Sequence, residues 1–200
     1  MRVLMLVIGV SALVSLILQT YADYMADGPE ARLLAVWWNM LRYYTILTNL
    51  VVGLCFVARV RFTAHWAGAI TLQILLVGIV YHVLLSATHR SNGAVDDFAN
   101  FGLHTLVPTL VFVWWLVFAP KAGLGWRNPL LWVIWPLVYS AYAILRGTVE
   151  GKYPYYFLDL PKLGPLGLLR EMSIVAAGFL VFGFILLGIS KAYRPSSSNR

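Results

Sequence analysis

The chain has 200 residues, 60% of them hydrophobic and 12% charged, with a formal net charge of +7. An ordinary soluble domain carries about 25% charged residues, so this balance and a mean hydropathy of +0.77 exclude that class and point to a polytopic membrane protein. The single cysteine, Cys55, excludes an internal disulfide framework, and basic residues scattered over short turns make anionic lipid headgroups, not nucleic acid, the partner.

A membrane span needs roughly 20 mostly apolar residues. Six stretches are predicted to qualify, at about 3–18, 43–58, 66–85, 101–118, 129–145 and 166–189. The expected fold is therefore all-α: a polytopic six-helix transmembrane bundle forming one domain over 1–192, with a flexible cytoplasmic tail at 193–200. The first stretch follows Met1-Arg2 and no good small-residue cleavage pattern precedes Tyr21-Ala22-Asp23, so it reads as an uncleaved span. The short apolar segment 31–40, with Trp37 and Trp38, is expected either to lie at the interface or to lengthen the second helix. Trp66, Trp126 and Trp132 are expected at headgroup level and Trp114 and Trp115 deeper.

Orientation follows the lysines and arginines beside the spans. Arg2, Arg59, Arg61, Lys121, Arg127, Lys191, Arg194 and Arg200 mark one side, while Asp23, Asp27 and Glu30 with Arg32 and Arg42, and Asp96 and Asp97 with Arg90, fall on the other. Both termini are thus predicted to be cytoplasmic. The connection from Arg146 to Glu171 is mixed in charge and is the exception.

This topology brings polar residues from separate helices to one outer-side depth. Thr45, Thr48 and Asn49 lie near the start of the second span, Asn100, His104 and Thr105 near the start of the fourth, and His82 near the end of the third. Residues three or four apart share a helix face, and polar groups at depth tend to face the interior. Many such residues serve only structure, since hydroxyls commonly bond the carbonyl four residues back or hold helices together. His104 stands out because histidine can accept a proton near physiological pH. Asn100, Asp96 and Asp97 are candidates to orient it, and Asn49, Tyr139 and Tyr142 to stabilise an oxyanion. Tyr153, Tyr155 and Tyr156 lie in a proline-bounded amphipathic loop that is expected either to reach a lipid or pocket mouth or only to seal the end of the bundle. No ligand spacing marks a metal site, and no cofactor is called for.

Tyr43-Tyr44-Thr45, Gly102-Leu103-His104-Thr105 and Tyr153-Pro-Tyr-Tyr-Phe-Leu-Asp, set in a six-span layout, resemble the androgen-induced and androgen-dependent membrane hydrolases. Their bacterial relatives, the Pr6Pr family membrane proteins, are more similar still. The resemblance covers nearly the whole chain through short motifs. It implies an intramembrane threonine hydrolase of lipid esters, among them fatty-acid esters of hydroxy fatty acids, in a bacterial cytoplasmic membrane. Thr45 would be the nucleophile and His104 the general base and acid, with Thr48 as the alternative register for the nucleophile. The competing expectations are a lipid-binding or transport protein, with a quinone or isoprenoid ligand, and a scaffold whose polar residues only join helices.

Overall fold

Long apolar runs leave backbone N–H and C=O groups without water, so the chain must satisfy them internally, and helices do this within one segment. The computed structural model describes residues 1–192, and all regular structure among them is helical. The expected tail, 193–200, lies outside the described residues. Five helices are long and apolar enough to cross a membrane: Arg2–Ala26, Ala64–Leu85, Ala94–Phe118, Arg127–Glu150 and Leu160–Ala192.

The second expected span is built differently. Helices α2 (Leu33–Met40) and α3 (Tyr44–Val57) are bent by 101° across Leu41, Arg42 and Tyr43, so the segment 31–40 does not lengthen α3 along its axis. With 14 residues, α3 measures about 21 Å, less than the roughly 30 Å of a bilayer's hydrocarbon. A sixth span exists only if this bent pair counts as one.

The chain divides into two compact units, one comprising Met1–Arg61 with Gln73–Phe118 and the other Phe62–Leu72 with the residues from Ala119 onward. In the first unit α1 (Arg2–Ala26) packs closely on α3. Two small residues permit the approach: a Cβ on Gly9 would lie 2.6 Å from the Val57 nitrogen, and one on Gly53 would lie 2.7 Å from Leu13 Cδ2. Leu16, Val36, Met40, Ile46 and Leu103 form the buried cluster beside this seam. Trp114 and Trp115 are buried, and the ring of Trp114 meets Phe56 edge-on at 4.8 Å.

The fourth span begins earlier than expected. Helix α5 (Ala94–Phe101) runs through a π-helical turn, Gly102–Leu106, into α6 (Val107–Phe118), which sets His104 in the third turn of the span instead of at its entrance. Pro108 has no N–H to offer the His104 carbonyl, and a widened turn relieves the clash that a proline ring makes with that carbonyl. Helix α4 (Ala64–Val80) likewise continues through a π-helical turn, Tyr81–Leu85.

In the second unit, α7 (Arg127–Trp132) and α8 (Ile134–Glu150) are joined at Val133, and α9 (Leu160–Ala192) is interrupted at Gly164, whose φ of 66° ends its short first segment before Pro165. Trp126 is exposed, whereas Trp132 is buried: its ring lies against Gly68, and its Nε1 donates to the His65 carbonyl at 3.1 Å. A bulky ring with a polar edge sits inside when that edge finds an acceptor. The three acidic residues of the mixed connection are each paired locally, Glu150 with Arg146, Asp159 with Lys162 and Glu171 with Arg170.

Candidate functional site

Thr45 stands in the first turn of α3, where the bend after α2 starts a new helix. His104 projects from the π-helical turn between α5 and α6. Thr45 Oγ1 and His104 Nε2 are 3.2 Å apart, and His104 Nδ1 is 3.1 Å from the Asn100 carbonyl oxygen. A carbonyl can only accept, so Nδ1 carries the hydrogen; in the neutral ring Nε2 is then a bare acceptor for the Thr45 hydroxyl. Both residues are half-buried.

Tyr81 completes the surroundings of the imidazole. Its ring lies on that of His104 with centroids 3.9 Å apart and planes inclined by 20°. Its hydroxyl accepts a hydrogen bond from Asn100 Nδ2. Asn100 therefore touches the pair twice, with its carbonyl on His104 and its amide on the tyrosine that covers His104. This backbone carbonyl occupies the orienting position for which Asp96 and Asp97 were the other candidates.

Asn49 Nδ2 donates to the carbonyls of Thr45, at 2.9 Å, and Leu103, at 3.2 Å. Both of its amide hydrogens are thereby engaged, so Asn49 ties α3 to the π-helical turn and is not a free oxyanion donor. Its Oδ1 is buried with no hydrogen-bond partner among the described residues. Thr48 is buried with its hydroxyl unpartnered among the described residues, so it is Thr45, one turn earlier, that reaches His104.

A second threonine–histidine contact lies alongside. His82 Nε2 and Thr105 Oγ1 are 3.0 Å apart, joining the two π-helical turns at an exposed position. Close helix contact here depends on Gly78, where a Cβ would lie 2.8 Å from the His104 carbonyl oxygen. Tyr44 donates to Gln73 Oε1 at 2.5 Å, fixing the start of α3 against α4.

The remaining tyrosines belong to the second unit. Tyr139 is buried, and Tyr142 Oη accepts from Arg146 Nη1 at 2.9 Å. The Tyr153 ring packs on Gly147, leaving its buried hydroxyl without a partner among the described residues. Tyr155 stacks on Phe157 at 5.0 Å, and Tyr156 is exposed.

Tyr81 escaped the sequence reading, although its place beside His82 near the end of a predicted span was a usable signal. The double role of Asn100 had no such signal, because one half of it is a backbone carbonyl. Gln19 and Gln73, both hydrogen-bonded across helices, were also missed; a glutamine inside an apolar run is the cue for each. Comparison of the chain with models of protein families, with curated proteins and with solved structures finds no match.

Proposed function

We propose that this chain is an intramembrane hydrolase of lipid esters in which Thr45 is the nucleophile and His104 the general base and acid. The observation that carries the reading is the relay from Thr45 Oγ1 to His104 Nε2 and from His104 Nδ1 to the Asn100 carbonyl. A threonine hydroxyl is a weak nucleophile until a base takes its proton, and this tautomer leaves the base atom facing the hydroxyl.

In the proposed reaction Thr45 Oγ1 attacks the ester carbonyl carbon as its proton passes to His104 Nε2. The tetrahedral intermediate collapses, the bond to the alcohol oxygen breaks, and His104 returns the proton to that oxygen, leaving acyl-Thr45. Water then attacks the acyl carbon while giving a proton to His104. The bond to Thr45 Oγ1 breaks, Oγ1 recovers that proton, and the fatty acid departs. Helix α3 begins within this site at Tyr44, so the N–H groups of Thr45 and Ile46 belong to the first turn, which precedes the helix's own carbonyl acceptors. They are the proposed donors to the oxyanion, a role that Asn49 cannot fill.

The motif resemblance supplies the substrate class, esters of long-chain fatty acids, including those of hydroxy fatty acids. The proposed membrane form has six spans, counting α2 with α3 as one, with both termini on the cytoplasmic side of a bacterial inner membrane. The basic residues flanking the helices support this orientation. The test is turnover of a long-chain p-nitrophenyl ester by the purified protein in detergent. Thr45→Ala and His104→Ala should each abolish it while helicity is retained; full activity in both variants contradicts the assignment.

A further inference from the structure

Tyr81, whose ring lies on that of His104, also neighbours a second set of chemistry-bearing side chains. His89 comes from the segment between α4 and α5, and Asp96 and Asp97 from the first turn of α5. One ligand atom from each lies within 4.8 Å of the others. His89 Nε2 is 3.7 Å from Asp96 Oδ2 and 3.9 Å from Asp97 Oδ1. These separations are too long for hydrogen bonds. The two histidine–carboxylate separations are a few tenths of an ångström wider than the roughly 3.3 Å between donors that sit at about 2.0 Å from a tetrahedral zinc ion, and the set's upper limit of 4.8 Å is wider still, so the exposed Asp97 carboxylate must turn inward to bind.

Burial and charge both point to a cation. Asp96 is 3% exposed, and a buried carboxylate needs a counter-charge. Among the described residues no lysine or arginine lies within ion-pair distance of it; its one basic neighbour is His89, at the gap just described. Its carboxylate is also held in place, by Gln19 Nε2 on Oδ1 at 2.9 Å and by the Asn92 N–H on Oδ2 at 3.0 Å. Hydrogen bonds that fix the direction of a carboxylate are the usual outer support of a metal ligand. Gln19 Nε2 also donates to Asp23 Oδ1, which brings a third carboxylate close behind the set and deepens the negative potential. His89 and Asp97 are exposed, which leaves the approach open.

We propose that His89, Asp96 and Asp97 form a binding site for a divalent transition-metal ion. One imidazole nitrogen and two carboxylate oxygens suit zinc or manganese better than magnesium or calcium, which favour all-oxygen sets. Water would fill the remaining coordination positions. The ion clips the segment between α4 and α5 to the first turn of α5. Tyr81 touches both sites, its ring centroid lying 3.9 Å from that of His104 and 6.3 Å from that of His89. Binding of the ion therefore fixes the segment that follows the tyrosine covering the catalytic base. The proposal does not depend on the hydrolase reading, because its test reads metal and not turnover.

The experiment is titration of the untagged, chelator-stripped, full-length protein in detergent with Zn²⁺, followed by calorimetry, with Co²⁺ absorption as an optical readout of an N/O donor set. One saturable ion per chain is expected, weakened at least tenfold by His89→Gln and by Asp96→Asn. His82→Gln and His65→Gln, which alter histidines outside the set, should leave it unchanged. His89 is exposed, so its substitution leaves folding intact and keeps the test decisive even if Asp96→Asn perturbs α5. No saturable binding, or binding that survives His89→Gln undiminished, overturns the site.

Discussion

Tyr81 lies flat on His104, with ring centroids 3.9 Å apart and planes 20° from parallel, while its hydroxyl holds the side chain of the residue whose carbonyl holds the imidazole. The two contacts act on the same ring by different means. The stack restrains its plane, and the bond through Asn100 restrains the carbonyl that selects its tautomer.

Tyr81→Phe keeps the stack and removes the hydroxyl, whereas Tyr81→Leu removes both. Turnover should fall modestly in the first and by about tenfold or more in the second, with KM less affected than kcat, because a misplaced base costs the chemical step. Steady-state kinetics on the two variants check the order; equal and unchanged rates contradict a positioning role.

The nucleophile prediction separates two threonines one helical turn apart. Thr45→Ala should reduce turnover by at least the roughly 10²–10⁴-fold that general acid–base catalysis contributes. Thr48→Ala, which alters a buried hydroxyl that does not reach His104, should leave most of the rate. Parallel assays of the two purified variants decide between them.

Acid should silence the reaction with a definite sign. Protonation places a hydrogen on His104 Nε2, which then cannot take the Thr45 proton, so kcat/KM should rise with pH along a single limb as that hydrogen is lost. A kcat/KM profile over the range in which the detergent-bound fold is intact checks this. A rate independent of pH throughout contradicts His104 as the base.

Gly78 gives a stability test of the packing behind the site. A Cβ there would lie 2.8 Å from the His104 carbonyl oxygen and 3.3 Å from Pro108 Cβ, and backbone shifts of that kind cost about 1–3 kcal/mol. Gly78→Ala should lower the thermal midpoint in detergent and reduce turnover together. Wild-type values for both contradict the close approach.

Much of this was legible in the sequence because apolar length and helical spacing are local properties. Asn49 lying four residues after Thr45, and His104 four after Asn100, already predicted shared faces, and the hydrogen bonds follow that spacing. The bend before Tyr44 was not legible, since Leu41-Arg42-Tyr43 contains no proline or glycine; it follows from tertiary packing that buries Val36 and Met40 against Leu16 and Leu103. The early start of the fourth span was hidden by Asp96 and Asp97, charges that read as a connection until His89 and Gln19 are brought beside them. The burial of Trp132 was hidden for the same reason: its acceptor, the His65 carbonyl, lies 67 residues away.

The proposed hydrolysis passes through a covalent bond to one oxygen atom, Thr45 Oγ1. The protein should be incubated with a long-chain activated ester, quenched in acid, digested and read by peptide mass spectrometry. An acyl adduct is expected on Thr45, absent from Thr45→Ala and from His104→Ala and retained in Thr48→Ala. An adduct on Thr48 or Cys55, or one on Thr45 that forms undiminished without His104, would contradict it.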